Sequence, residues 1–310
     1  MEGNKFVNYN LKHQYVYPVH GEQPPKCTLG KREGRYCIFC GKTNRENNFK
    51  KEAHVIPAAL GNRSLTNWNE CDSCNEDIFS VCEDDLVNYL ALERILIRGR
   101  KRNGNPKYKQ SNGNSYITSA PGTNQVKIEI DPQDAQFVKF ENLATDQARM
   151  TFFNLPPYSY VNICKSLVHM GWSVMENEWE ELRKKFDYVY LWLKGECDIF
   201  PLYMDEAFIP GGGLSYVILE VLESQEKLTD DFPFAFRLSY GHKVITFYLP
   251  STNKIESKPK GIAHLNNVPN DVEINVNKLT ILSDERIKPT DVTYGFSFNK
   301  HESSDENNDD

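Results

Sequence analysis

Cys37-Ile38-Phe39-Cys40, Glu52-Ala53-His54-Val55-Ile56-Pro57 and Cys71-Asp72-Ser73-Cys74-Asn75 decide the reading of this chain. Two CxxC pairs bracket a single histidine. Four thiolates at that spacing can close a tetrahedral zinc site. The ion would clamp a small, loop-rich unit around His54 and Asn75. So short a segment buries little apolar surface alone, so the zinc would act as a brace rather than as a reagent.

The remaining cysteines, Cys27, Cys82, Cys164 and Cys197, are scattered and read as free thiols. Cys27 is an alternative ligand, but it lacks a partner at CxxC spacing. The 310 residues allow one large domain or two ordinary ones, and hydrophobic and aromatic shares of 39% and 12% suffice for a real core. No apolar run approaches the roughly 20 residues that span a bilayer. The N-terminus has no apolar h-region, so the expectation is a cytoplasmic protein, where cysteines stay reduced and CxxC pairs favour zinc over disulfides. A net charge of −7 does not suit a whole-surface nucleic-acid binder. Charge is uneven, however. Arg94, Arg98, Arg100, Lys101, Arg102, Lys107 and Lys109 follow one another with no acid after Glu93. Such a patch can hold phosphates even on an acidic chain, although charge runs are as often merely solvated faces.

Working outward, residues 1–35 read as an irregular polar arm. RYCIFCGK reads as a short hairpin with a knuckle closed by Gly41, and AHVIPAALGN as a short strand followed by a turn ended at Gly61-Asn62. From Asn75, apolar residues at spacings of three and four predict one amphipathic helix running to about Arg98. Residues 103–124, rich in Asn, Gly, Ser and Pro, read as a linker. A helix is predicted over Tyr160–Met170 and another over Glu178–Phe186. Strands are predicted at Val126–Ile130, Tyr188–Leu193, Leu214–Leu222, Phe234–Tyr240 and Val244–Leu249, with Tyr240-Gly-His-Lys243 as a hairpin turn. Trp172, Trp179 and Trp192 read as core. His169, His242 and His264 read as structural or exposed. The tail 301–310 is acidic and expected to be disordered.

CIFCGK, EAHVIPAALGN and CDSCN, in that order, resemble the HNH nucleases, and specifically the subgroup braced by two CxxC pairs. The resemblance covers roughly residues 35–98. It implies a ββα-metal fold in which a two-stranded ribbon and a helix grip a divalent ion. His54 matches the family's first histidine, implied to be the general base. A neutral imidazole suits that task at physiological pH, although a lone histidine is more commonly a hydrogen-bonded core residue. Asn75 stands where the family places its last metal ligand, and its amide oxygen suits a hard cation. An asparagine there also suits a helix N-cap. Asn67 best fits the middle asparagine, implied to orient the base by holding the loop, with Asn69 and Asn62 as competitors. Many family members carry an acid or histidine immediately before the base. Here that position is Ala53. Glu52, one residue earlier, shares a strand face with His54 and is a candidate replacement. Asp72, Glu83 and Asp84 are further oxygen donors.

The expected architecture is therefore α+β: an HNH unit with its arm over 1–102, a linker over 103–124, and a separate α+β domain over 125–300. The resemblance implies a metal-dependent endonuclease acting on DNA, with RNA as the other candidate substrate. It implies structural Zn²⁺ on Cys37, Cys40, Cys71 and Cys74, and catalytic Mg²⁺ or Mn²⁺ on Asn75 and Glu52. Arg98, Arg100, Lys101, Arg102, Lys107 and Lys109 would contact the nucleic-acid backbone. The second domain would serve targeting, activation, oligomerisation or a protein partner, as in a microbial restriction or antiphage effector. The rival is a zinc-braced nucleic-acid- or protein-binding module without turnover, which Ala53 favours.

Overall fold

Alternation in the first described residues, with Tyr15 and Tyr17 turned to one side and Gln14 and Val16 to the other, builds a strand rather than an irregular arm. This is β1 (Tyr9–Pro18), and it pairs antiparallel with a strand two hundred residues later. The computed structural model describes residues 9–19, 22–98, 105–110, 113–119, 125–134, 136–144, 146–226, 230–259 and 274–297. Arg100, Lys101, Arg102, His264 and the tail 301–310 lie outside them.

The cysteine-bearing region is made of very short elements. β2 (Cys27–Leu29), β3 (Ala53–His54) and β4 (Leu65–Asn67) form a sheet in the order β2-β4-β3. Tyr36 bridges Thr43 to make the knuckle, and the Gly41 amide donates to the Cys37 carbonyl at φ +70°, where a side chain would be strained. The loop after His54 makes a 3₁₀ turn over Ala58–Leu60. The helical stretch begins at Asp72 and widens into a π-turn over Cys74–Phe79. It then continues as α1 (Ser80–Tyr89) and α2 (Ala91–Leu96). The single helix expected to reach Arg98 is thus interrupted at Leu90, whose backbone leaves the helical region at φ −94° and ψ 12°.

The stretch expected as a linker holds strands. β5 (Lys107–Lys109), β6 (Tyr116–Ser119) and β7 (Val126–Glu129) form a three-stranded sheet. Its Ile117 is fully buried with Leu92 and Ile95 of α2 and with Phe137 and Phe152. The apolar residues number only one or two per strand, so the Asn, Gly and Ser of the turns dominate the composition. β8 (Val138–Ala144) and β9 (Gln147–Phe153) make the adjoining hairpin.

Three helices follow: α3 (Tyr160–Val174), α4 (Trp179–Lys185) and α5 (Asp187–Lys194). α5 replaces the strand expected over Tyr188–Leu193. Its β-favouring residues are overridden because Val189, Trp192 and Leu193, at helical spacing, bury against the core, and Gly195 at φ +75° closes its end. The remaining strands are β10 (Leu202–Phe208), β11 (Tyr216–Ser224), β12 (Phe234–Tyr240), β13 (Lys243–Leu249), β14 (Val276–Ile281) and β15 (Asp291–Ser297). β15 joins β9 and β8. The others form a six-stranded antiparallel sheet in the order β1-β11-β12-β13-β10-β14. α3 lies on one face of it. Gly171 makes the close approach: an added Cβ would fall 2.1 Å from the Phe236 ring.

The opposite face carries an unusual feature. Gln14, Glu220, Arg237, Thr246, Asp205 and Lys278 stand side by side in one row across all six strands. In its centre Arg237 Nη1 meets Glu220 Oε2 at 3.2 Å, both side chains 2% exposed, and Arg237 Nε donates to Thr246. No helix among the described residues is long and apolar enough to cross a membrane.

The architecture is α+β, a cysteine-bearing unit followed by a β-rich region, and the two parts share one core. Phe39, Val55, Ile56, Leu60, Phe79 and Leu86 pack into the same cluster as Leu167, Phe236 and Phe247. Three buried carboxylates tie the parts together. Glu70 Oε2 lies 2.8 Å from His169 Nε2 of α3. Asp85 accepts from Asn162, from the Ser159 amide and from Arg286. Glu93 accepts from the His242 amide and ring and from the Tyr294 hydroxyl.

Candidate active site and metal centre

The four Sγ atoms of Cys37, Cys40, Cys71 and Cys74 lie within 4.8 Å of one another, with Cys40 and Cys71 3.7 Å apart. A tetrahedral ion with Zn–S bonds of about 2.3 Å holds its sulfurs about 3.8 Å apart. Donor type, number and spacing therefore all fit zinc. Contact with Cys37 brings the Cys71 thiol down to about 6, while burial raises Cys37, so it takes a bound cation to hold all four as thiolates. Outer contacts hold the cluster: Asn47 Nδ2 donates to Cys71 Sγ at 3.0 Å, and Arg183 of α4 donates to the Cys40 carbonyl at 3.0 Å. Neither residue carries a sequence signal linking it to the cysteines. Cys27 is exposed and stands outside the cluster.

The cluster fixes the start of the helix against the β3–β4 ribbon, and a cavity of about 370 Å³ opens between them. It is lined by Glu52, His54, Ala58, Asn75, Glu76, Ser80 and Glu83. Glu52, His54 and Asn75, more than 20 residues apart at the extremes, thus face one space. His54 is half-buried on β3, opposite Thr66. Its neighbour Ala53 is fully buried opposite Asn67 and offers no donor. Asn75 lies inside the helical stretch, after Ser73 and Cys74, so it does not occupy the cap position its residue type favours. Glu52 is exposed and ion-paired with Lys26. Asp72 accepts from the Lys50 and Lys51 amides and shapes the loop before β3.

Asn67 is buried on β4, where its Oδ1 accepts from the Asn69 amide at 2.8 Å, and it does not line the cavity. The bonds that hold the loop after His54 converge on Asn62. Its Nδ2 donates to the Ile56 and Leu65 carbonyls, and its Oδ1 accepts from the Ser64 and Leu65 amides. Arg94, counted in sequence with the basic segment, donates to the Ala59 carbonyl and braces the turn behind His54. Beneath the cavity, the buried His169 ring stacks on Phe79 at 4.0 Å. Burial opposes its protonation, but the Glu70 carboxylate outweighs this and raises its pKa. Burial likewise raises the Glu83 carboxyl to about 7.

Of the basic residues, Arg98 ends the helical region at φ +56°. Lys107 lies over the Tyr116 ring at 3.3 Å, and Lys109 lines a separate cavity beside Asp131 and Asp134. Neither lysine lines the His54 cavity. Tyr108 packs on Phe137 and is bonded to the Asn154 carbonyl, so its ring serves the core.

Short antiparallel ribbon, sulfur clamp and helix, with a histidine and an asparagine facing one space, define a ββα-metal unit. Residues 37–89 match the family described as HNH endonuclease. No curated protein and no solved structure significantly matches the chain.

Proposed function

We propose that this protein is a metal-dependent endonuclease that hydrolyses phosphodiester bonds in DNA. The observation that carries the reading is the convergence of His54, Asn75 and carboxylates on one cavity within the stretch that matches the HNH family. An imidazole nitrogen of His54 takes a proton from water as its oxygen attacks phosphorus, and the phosphorus–O3′ bond breaks on the opposite side. Asn75 and a carboxylate of the cavity offer hard oxygen donors that suit Mg²⁺ or Mn²⁺. Such an ion, when bound, stabilises charge on the phosphate and on the departing oxygen. The cysteines take no part in the chemistry; they set the distance between ribbon and helix. The β-rich region would restrain or target the site, as a restriction or antiphage nuclease needs in a living cell.

The test is cleavage of supercoiled plasmid with Mg²⁺ or Mn²⁺. His54→Ala is expected to lose about 10²–10⁴-fold in rate with its zinc content unchanged. Nicking that survives this change overturns the mechanism. Labelled RNA and DNA duplexes compared side by side assign the substrate. Ala53 supports a second reading, a binding module that retains nucleic acid without cutting it; binding with no cleavage in any divalent metal would establish that instead.

A further inference from the structure

The motif lacks its acid at position 53, and the carboxylate that stands closest in sequence is not the one best placed to replace it. Three carboxylates line the His54 cavity: Glu52, Glu76 and Glu83. Glu52 and Glu76 are exposed and are engaged by Lys26 and Lys51. Glu83 is half-buried, and among the described residues it has neither a hydrogen bond nor an ion pair. A carboxylate withdrawn from water with no hydrogen bond, with only the buried His169 ring as a favourable charge and with Glu70 and Asp84 opposing it, is costly to ionise unless a cation joins it.

Helix geometry supplies the second argument. Eight residues separate Asn75 from Glu83. In an uninterrupted α-helix, turning about 100° per residue, Glu83 would stand about 80° around the axis from Asn75. The π-turn over Cys74–Phe79, in which the Ser80 amide bonds the Asn75 carbonyl five residues back, advances only roughly 80° per residue. That removes most of the offset. Asn75 and Glu83 therefore fall on one face of the helical stretch, and with Ser80 they line the cavity that His54 also lines.

We infer that Glu83 is the carboxylate ligand of the divalent ion, replacing the acid missing at Ala53, with Asn75 about two turns before it as the amide ligand. This rests on the nuclease reading and specifies its metal site. Glu52, on its lysine, takes the lesser part at the rim. The π-turn is then a functional feature, because the same eight residues wound as regular α-helix would set Glu83 about 80° around the axis from Asn75.

The experiment is Mn²⁺ binding to the full-length, zinc-loaded protein, followed by electron paramagnetic resonance. Glu83→Gln, which keeps the volume of the side chain, is expected to weaken Mn²⁺ binding by at least about tenfold, with zinc content unchanged. Glu52→Gln is expected to change it by less than about threefold. Wild-type affinity in Glu83→Gln overturns the inference. A second measurement needs no variant: Fe²⁺ with ascorbate and peroxide should cut the wild-type backbone beside residues 75 and 83, and cutting confined to residues around 52 overturns the inference equally. If the wild-type protein cleaves DNA and binds Mn²⁺ while Glu83→Gln does the same, only the Glu83 assignment fails. If it neither binds Mn²⁺ nor cleaves, the nuclease reading fails with it.

Discussion

The cysteine-bearing unit and the six-stranded sheet are stable for opposite reasons. Strands of two and three residues, a knuckle and a 3₁₀ turn cannot hold themselves together by hydrogen bonding, so the unit depends on four sulfurs converging on one point. The sheet has strands of six to ten residues and a helix laid across it, and depends on apolar burial. The one needs accurate geometry with little mass; the other has mass to spare and even carries a charged row across one face. The proposed nuclease site needs geometry, so it belongs to the first. The second gives that geometry a rigid base, because Phe39, Val55 and Phe79 are seated in the sheet's own core.

The sharpest way to break this comparison is to remove a sulfur. Cys74→Ser should abolish zinc binding and unfold the unit, since structural zinc contributes on the order of 10 kcal/mol or more in small zinc-folded units. The shared core predicts one cooperative thermal transition at a much lower temperature, not two. Metal content and circular dichroism on heating measure this. A variant that loses zinc yet melts like the wild type would show that packing against α3, not the sulfur clamp, holds the unit.

The next effect belongs to the sheet. Arg237 and Glu220 are both buried, so removing one leaves the other charged and stranded. Arg237→Met alone should cost about 3–5 kcal/mol in urea unfolding. The double change Arg237→Met with Glu220→Leu should recover most of that loss, because an apolar pair of similar volume avoids desolvating two charges. No recovery in the double variant would mean that the charged row has a partner beyond its own sheet.

What could be read in the sequence follows the same division. The sulfur clamp was legible because metal ligation leaves a fixed spacing, CxxC twice, bracketing the motif. The strands β11, β12 and β13 were legible as runs of apolar residues ending at a Gly-His turn. α5 was not, because Tyr-Val-Tyr-Leu-Trp-Leu favours a strand locally and only its neighbours in the fold make it a helix. β5 and β6 were hidden inside a polar stretch whose turns outweigh its strands. β1 was hidden because its partner β11 is far away in the chain, and register carries no local mark. At the site, the motif singled out His54, Asn75 and Glu52, and these three line one cavity. Between Asn67 and its competitor Asn62 the sequence could not show that Asn62 bonds four backbone groups of the loop while Asn67 accepts from the Asn69 amide, because those bonds depend on how the chain turns after Pro57. The carboxylate ties of Glu70, Asp85 and Glu93 to distant partners leave no pattern at all.

One of those ties offers the finest test of how firmly the two regions are joined. Glu93 of α2 accepts from the His242 ring at 2.9 Å, at the turn between β12 and β13. Burial opposes ionisation of both groups, yet their contact lowers Glu93 below its ordinary 4.5 and raises His242 above its ordinary 6.5. For the carboxylate, the stabilisation is present above about pH 4.5 and is lost as pH falls through its lowered folded value. For the imidazole, it is complete below about pH 6.5 and is lost as pH rises through its raised folded value. The joint should therefore contribute most between about pH 4.5 and 6.5. His242→Ala should lower stability by about 1–2 kcal/mol in that window and by less at pH 8.5, as pH rises toward and through the raised folded value of the ring. Unfolding curves of the two proteins at pH 5.5 and pH 8.5 measure the difference. A gap that stays constant with pH would mean that the ring works by packing on Phe208, on which it stacks at 5.4 Å, and that the charge of the pair adds nothing to the joint.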